Sequence, residues 1–354
     1  MALTDEYKNI IDKLADTRDL SDEELTLILE CEDEDVNEYL FKRAREVRES
    51  IYGKDVYIRG LVEFTNYCKN NCYYCGIRNG NKCAERYRLS EEEIISATDS
   101  GYELGFRTFV LQGGEDMYFT DDKMCEIIRT IKKNHPDCAV TLSIGEREYD
   151  SYKKMFDAGA DRYLLRHETA NKDHYNMIHP KEMSYEHRMQ CLKNLKEIGY
   201  QVGCGMMIGS PYQKTHHIVN DIRFIQSFKP EMVGIGPFIP HHDTDYKDEP
   251  AGSAKLTLRV LSIVRLVLPE VLLPSTTALG TVDPLGREKG ILAGANVVMP
   301  NLSPTGVRNK YLLYDNKICT GDEAAECIRC MSLRVQKVGY NVVTSRGDHI
   351  SFNV

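Results

Sequence analysis

Eight short apolar runs alternate with helix patterns along most of this chain, and that alternation limits the folds open to it. The runs are Val56–Thr65, Arg107–Gln112, Ala139–Ile144, Arg162–Arg166, Gln201–Ile208, Met232–Phe238, Val271–Thr276 and Asn296–Met299. Most lack a two-residue alternation, as expected of parallel strands buried on both faces. Ser90-Glu-Glu-Glu93 is a capping box, and Ser184 opens a helix pattern ending near Gly199. Asp283-Pro284 sets Pro at a first helical position. The chain reads as α/β, a (β/α)8 TIM-type barrel, although an open doubly wound sheet shares the local pattern. Residues 1–53 read as two helices of outer cladding, one opened by a capping box at Ser21–Glu24. A single domain is expected, with the barrel over 54–302 and a C-terminal helical or loop extension over 303–354.

The first run leads into Cys68, Cys72 and Cys75, spaced C-x3-C-x2-C. Asn70, Asn71 and Gly76 favour irregular backbone there, so three sulfurs can face one centre. In a barrel this loop lies on the C-terminal rim of the strands, where chemistry gathers. Three soft thiolates suit a [4Fe–4S] cluster and leave one iron open to a chelating amine and carboxylate. The rival is a zinc loop with Cys83 as fourth ligand.

Composition narrows the rest. Forty-five basic against 54 acidic side chains give a net charge of −9, which argues against a nucleic-acid partner. Twelve Cys in 354 residues are too sparse for a disulfide scaffold, and they cluster at 68–83 and 319–330, which favours metal in a reducing cytosol. The opening MALTDEYKNI has no apolar signal core, and no uncharged apolar run nears the ~18 residues of a membrane span. A cytoplasmic protein without membrane contact is expected.

Other strand ends carry polar residues. Gln112-Gly113-Gly114-Glu115 lets backbone approach a ligand and offers Glu115 to an ammonium group. Thr141 and Ser143 lie in the third run, with Glu146 after it. Arg166 and Glu168 end the fourth and can hold a carboxylate and a hydroxyl, or simply pair with each other. Arg188 stands four residues after its helix cap. Thr276, Thr277 and Met299 end the last two runs. His241, His242 and Asp243 form a possible metal set, although neighbouring side chains on an extended loop usually diverge. Cys319, Cys327 and Cys330 form C-x7-C-x2-C, a set for a second cluster or for zinc. Cys31, Cys125, Cys138, Cys191 and Cys204 read as buried filler.

The cysteine loop, with Tyr74 beside its last Cys, resembles the radical S-adenosylmethionine (SAM) superfamily. Further segments resemble its HydE family of [FeFe]-hydrogenase maturases: LQGGED (111–116), VTLSIGE (140–146), DRYLLRHETAN (161–171), MVGIGPFIPHHDT (232–244), LPSTTALGT (273–281) and GANVVMPN (294–301). The resemblance implies a full barrel whose [4Fe–4S] cluster binds SAM and cleaves it to a 5′-deoxyadenosyl radical. It implies a small cysteine-bound iron carbonyl cyanide substrate attacked at sulfur, an electron donor such as ferredoxin, and other hydrogenase maturases as partners. On this resemblance Tyr74, the 112–115 segment, Thr141, Glu168 and Arg188 serve SAM. Arg166, Thr276, Thr277, Met299, Tyr311 and Tyr314 line the substrate end. Gly113 departs from the Ser of the family's Gln-Ser-Gly-Glu, so no side-chain contact is expected there. Relatives of the methylornithine synthase or biotin synthase type are the alternative enzymes, and an iron–sulfur scaffold without catalysis is the non-enzyme reading.

Overall fold

A computed structural model describes residues 5–321 and 324–352. Its strands are β1 (Asp55–Ile58), β2 (Gly60–Thr65), β3 (Thr108–Gly113), β4 (Ala139–Ser143), β5 (Arg162–Leu164), β6 (Gln201–Ile208), β7 (Met232–Pro237), β8 (Val297–Val298) and β9 (Asn341–Val343). β2 to β7 pair in chain order, all parallel. The ring closes through single parallel bridges, Met232 to Leu272, Pro274 to Val297 and Leu61 to Asn301, with β8 paired to β1. The result is a (β/α)8 barrel. Every residue of β2 and of β6 is buried, as the unbroken apolar runs require. The capping boxes at Ser21 and Ser90 form, and the helix Tyr185–Ile198 runs from a Ser184 cap to a left-handed Gly199.

Four local expectations are corrected. Val56–Thr65 is two strands parted at Arg59, because the lower half pairs with β8 and β9 and the upper half with β3. Val271–Thr276 survives only as bridges at Leu272 and Pro274; Pro274 has no N–H for a ladder, and Thr276 leaves to cap the helix Thr277–Val282. Pro284 lies in a turn, where Asp283 Oδ1 accepts from Leu285 N, and the next helix starts only at Gly286. The N-terminal segment forms three helices, Asp5–Thr17, Asp22–Glu30 and Glu34–Tyr52. The additional first helix buries a stripe of Ile10, Ile11, Leu14 and Ala15.

The chain's last turns plug the N-terminal end of the barrel. Arg162, at the start of β5, donates to Asp348 Oδ1 at 2.6 Å and to the Arg346 carbonyl at 2.8 Å. Gln201 and Thr108, which open β6 and β3, bond the same segment at 2.7 Å each. Among the described residues no helix is long and apolar enough to cross a membrane.

Candidate active site

The cysteine loop leaves β2 at Thr65 and returns beside it, with Leu89 N donating to the Phe64 carbonyl at 2.8 Å. Asn66 Oδ1 accepts from Tyr87 N, and Arg86 organises the turns by donating to the carbonyls of Ile77, Arg78 and Asn81 at 2.6 to 3.0 Å. Cys68, Cys72 and Cys75 all line one cavity of about 420 Å³. Burial pushes each thiol up, Cys75 to about 12, and neighbouring sulfurs push Cys72 and Cys75 further. Backbone N–H groups of Asn70 and Glu115 face Cys68, and that of Ile77 faces Cys75. The Tyr74 hydroxyl donates to His179 Nε2 at 3.0 Å, because His179 Nδ1 faces the Tyr175 carbonyl and carries its proton there. Cys83 is exposed and is not on the cavity wall.

Across the rim, Gly113, Gly114 and Glu115 line the same cavity. A Cβ on Gly113 would lie 2.7 Å from Thr65 Cγ2, so that space belongs to Thr65. Glu115 Oε1 accepts from Glu146 N at 2.9 Å. Its Oε2 is buried without a hydrogen bond, although Lys69 Nζ stands 3.1 Å away. Asp116 is held by Arg88 at 2.6 and 2.9 Å and by Thr65 Oγ1 at 2.8 Å, and so buttresses the turn.

Arg166 and Glu168 approach to 3.3 Å but are not aligned, and Arg166 Nε, Arg166 Nη2 and Glu168 Oε2 have no hydrogen-bond partner. Glu168 has φ +64, a strained backbone for a non-glycine residue, and this turn presents its carboxylate to the cavity. Behind it, His167 Nδ1 accepts from Gly205 N and Nε2 faces Asp221 at 3.3 Å. Arg188 lines the cavity but is already paired with Glu146 and donates to the Arg166 carbonyl. Thr141 lies within β4 with its hydroxyl buried and unpartnered; Ser143 is the β4 residue on the cavity wall.

The far end of the cavity carries Thr276, Thr277, Met299, Tyr311 and Tyr314. Thr277 Oγ1 accepts from Arg287 Nη2 at 3.1 Å, and Arg287 Nη1 lies 3.5 Å from Cys319 Sγ. Cys319, Cys327 and Cys330 open onto this same cavity.

A model of the radical SAM superfamily matches residues 62–225. The HydE subunit of the [FeFe]-hydrogenase maturase from Thermotoga maritima is 43% identical over 332 residues, 94% of each chain. The chain belongs to the HydE family of radical SAM enzymes. A 3-methylornithine synthase from Methanosarcina acetivorans is 27% identical over 95% of this chain and 94% of its own. The crystal structure of methylornithine synthase (PylB) matches with TM-score 0.83 at 25% identity, covering 94% of this chain and 97% of that one. The maturase HydG shares the fold, with TM-score 0.80 at 23% identity over 96% of this chain and 76% of that one.

HydE membership implies a [4Fe–4S] cluster and SAM, and the residues fit both. Three buried thiols, two of which have their ionisation further opposed by neighbouring sulfurs, would be stabilised as thiolates by cationic iron. Oε2 of Glu115 and Oε2 of Glu168, each near a cation but without a hydrogen bond, have acceptor capacity left for a ligand. The histidine set differs from its expected form. His241 and His242 do not diverge but stack, with centroids 4.4 Å apart at 19°, and the carboxylate that joins them is Asp315. One ligand atom from each of His241, His242 and Asp315 lies within 4.8 Å of the others, a spacing that fits a shared ion, with Asp315 in the place expected of Asp243. Four charged cavity residues escaped sequence reasoning: Glu63, hidden in an apolar run, and Arg287, Lys317 and Arg334, each without a motif.

Proposed function

We propose that this chain acts in assembling the di-iron dithiolate unit of the [FeFe]-hydrogenase cofactor. The substrate is a cysteine-bound iron carbonyl cyanide compound attacked at sulfur. One observation carries this reading: a single cavity joins the three-thiol loop to a cationic, hydroxyl-lined far end. Bound at Cys68, Cys72 and Cys75, a [4Fe–4S] cluster with SAM on its open iron supplies one-electron cleavage of SAM to methionine and a 5′-deoxyadenosyl radical. Glu115 accepts from the SAM ammonium and Glu168 from a ribose hydroxyl. Gly113 and Gly114 bring backbone close to the cofactor, and Arg188 with Tyr74 braces this wall. Arg166, beside Glu168, and Thr276 and Thr277 at the far end donate toward the anionic iron compound, while Met299, Tyr311 and Tyr314 exclude water. Cys319, Cys327 and Cys330 hold a second cluster. The electron donor is a ferredoxin-type protein, the partners are other hydrogenase maturases, and the setting is the cytoplasm.

The test is anaerobic reconstitution with dithionite and SAM, followed by assay for 5′-deoxyadenosine. The product is expected from wild type, faster with the iron compound, and absent from Cys72→Ala. No product from protein with an intact cluster would refute the reading. The likeness to methylornithine synthase supports a second reading, which stimulation by lysine in place of the iron compound would favour.

A further inference from the structure

Glu63 and Lys317 face each other on the cavity wall. Lys317 Nζ donates to Glu63 Oε1 at 2.6 Å and to the Tyr311 carbonyl at 2.9 Å. Glu63 Oε2 accepts from Asn301 Nδ2 at 2.8 Å. The Lys317 and Glu63 side chains are only 9% and 2% exposed, yet both line the cavity. A buried ion pair is a poor source of stability, because desolvating two charges offsets most of their attraction. Its place on a ligand cavity calls for another reason.

The two partners are built differently. Glu63 is fixed in β2: its N–H donates to Ser303 Oγ and its carbonyl accepts from Tyr87 Oη, both at 2.7 Å. Lys317 sits on irregular chain between two left-handed residues, Asn316 at φ +58 and Cys319 at φ +64. Such backbone is sparsely populated and gathers at ligand clamps. A rigid carboxylate thus stands beside an ammonium on a four-carbon stem.

We propose that Glu63 and Lys317 together bind the α-amino-acid head group of the second ligand in this cavity. Glu63 accepts from its ammonium while Lys317 turns to donate to its carboxylate. One ion pair opens and two form, so no net charge enters the barrel. The SAM head group is served higher on the rim. Glu63 pairs in register with Gln112, and Thr65 with Gly113 beyond an irregularity in β2, so Gly113 to Glu115 lie on the rim side of Glu63. The inference deepens the proposed function, resting on it for the cysteine-derived nature of the ligand but not for recognition of the head group.

The test is anaerobic calorimetry on the full chain loaded with cluster and SAM. The probes are S-methyl-L-cysteine, 2-(methylthio)ethylamine and 3-(methylthio)propionate, whose blocked sulfur cannot bind iron as a thiolate. Wild type is expected to bind the amino acid about tenfold or more tighter than either truncated probe, because each truncation strands a buried charge. Lys317→Met should erase the preference over the amine, and Glu63→Gln the preference over the carboxylate. Lys317→Arg, which keeps the cation, should restore the first. Equal binding of all three probes by wild type would overturn the inference. So would an equal loss for all three in Lys317→Met, or a loss confined to SAM. 5′-Deoxyadenosine assayed in parallel tests the proposed function separately: its absence beside intact discrimination would sink only that reading.

Discussion

Gly114 packs so tightly on the cysteine loop that a Cβ there would lie 2.7 Å from Cys68 Cβ, with the Tyr67 carbonyl closer still. The glycine turn after β3 and Cys68 are therefore one assembly. Gly114→Ala is expected to displace Cys68 at about 1–3 kcal/mol of overpacking. Iron content after reconstitution should fall while far-UV circular dichroism is kept. Gly113→Ala should be milder, since its nearest obstacle is the methyl group of Thr65 and not backbone.

Glu168 presents an unpartnered oxygen to the cavity. Glu168→Gln keeps the shape and removes the charge. SAM affinity, read by calorimetry on cluster-loaded protein, should drop about tenfold, the worth of one charge-assisted hydrogen bond. The melting temperature should hardly move. An unchanged affinity would remove Glu168 from the SAM site.

Burial, with Arg188 nearby, brings His179 down to about 3, and burial likewise lowers His174. His179 is neutral when folded and His174 takes a proton less readily than usual, whereas an unfolded histidine titrates near 6.5. Below about pH 6.5 the unfolded chain therefore takes up protons that the folded chain refuses, so stability falls with falling pH and is full above that value. Urea unfolding of the apoprotein between pH 5 and pH 7.5, a range chosen to bracket about 6.5, should show this slope. His179→Gln should flatten it.

Asp348 seals the barrel's lower end. Burial raises its carboxyl, but Arg346 and Arg162 outweigh that and hold it far below the usual range. Its contribution is present above about pH 4 and is lost as the pH falls through the lowered value. Asp348→Asn strands Arg162, which is fully buried, and should destabilise by about 3 kcal/mol in denaturant unfolding. A loss below ~0.5 kcal/mol would show that the plug carries little stability.

Local chemistry made much of the fold readable. Caps at Ser21, Ser90 and Ser184 need only a few neighbouring residues, and each forms where its motif stands. Unbroken apolar runs imply parallel strands, and a cysteine loop after the first of them must lie on the C-terminal rim. Where the last strands dissolve into bridges at Leu272 and Pro274, closure of the ring overrode the local pattern.

The amino-acid order alone therefore settled the alternating α/β pattern, the three-thiol loop and the family, because those signals are short-range or carried by contiguous segments, whereas closure of the strands into a ring rather than an open sheet came from tertiary structure. Tertiary structure alone decided the partners: Lys317 meets Glu63 across 254 positions, and Asp315 joins His242 across 73. A side chain's charge can be read from its letter. Which opposite charge it meets depends on how the ring closes, and no local pattern encodes that.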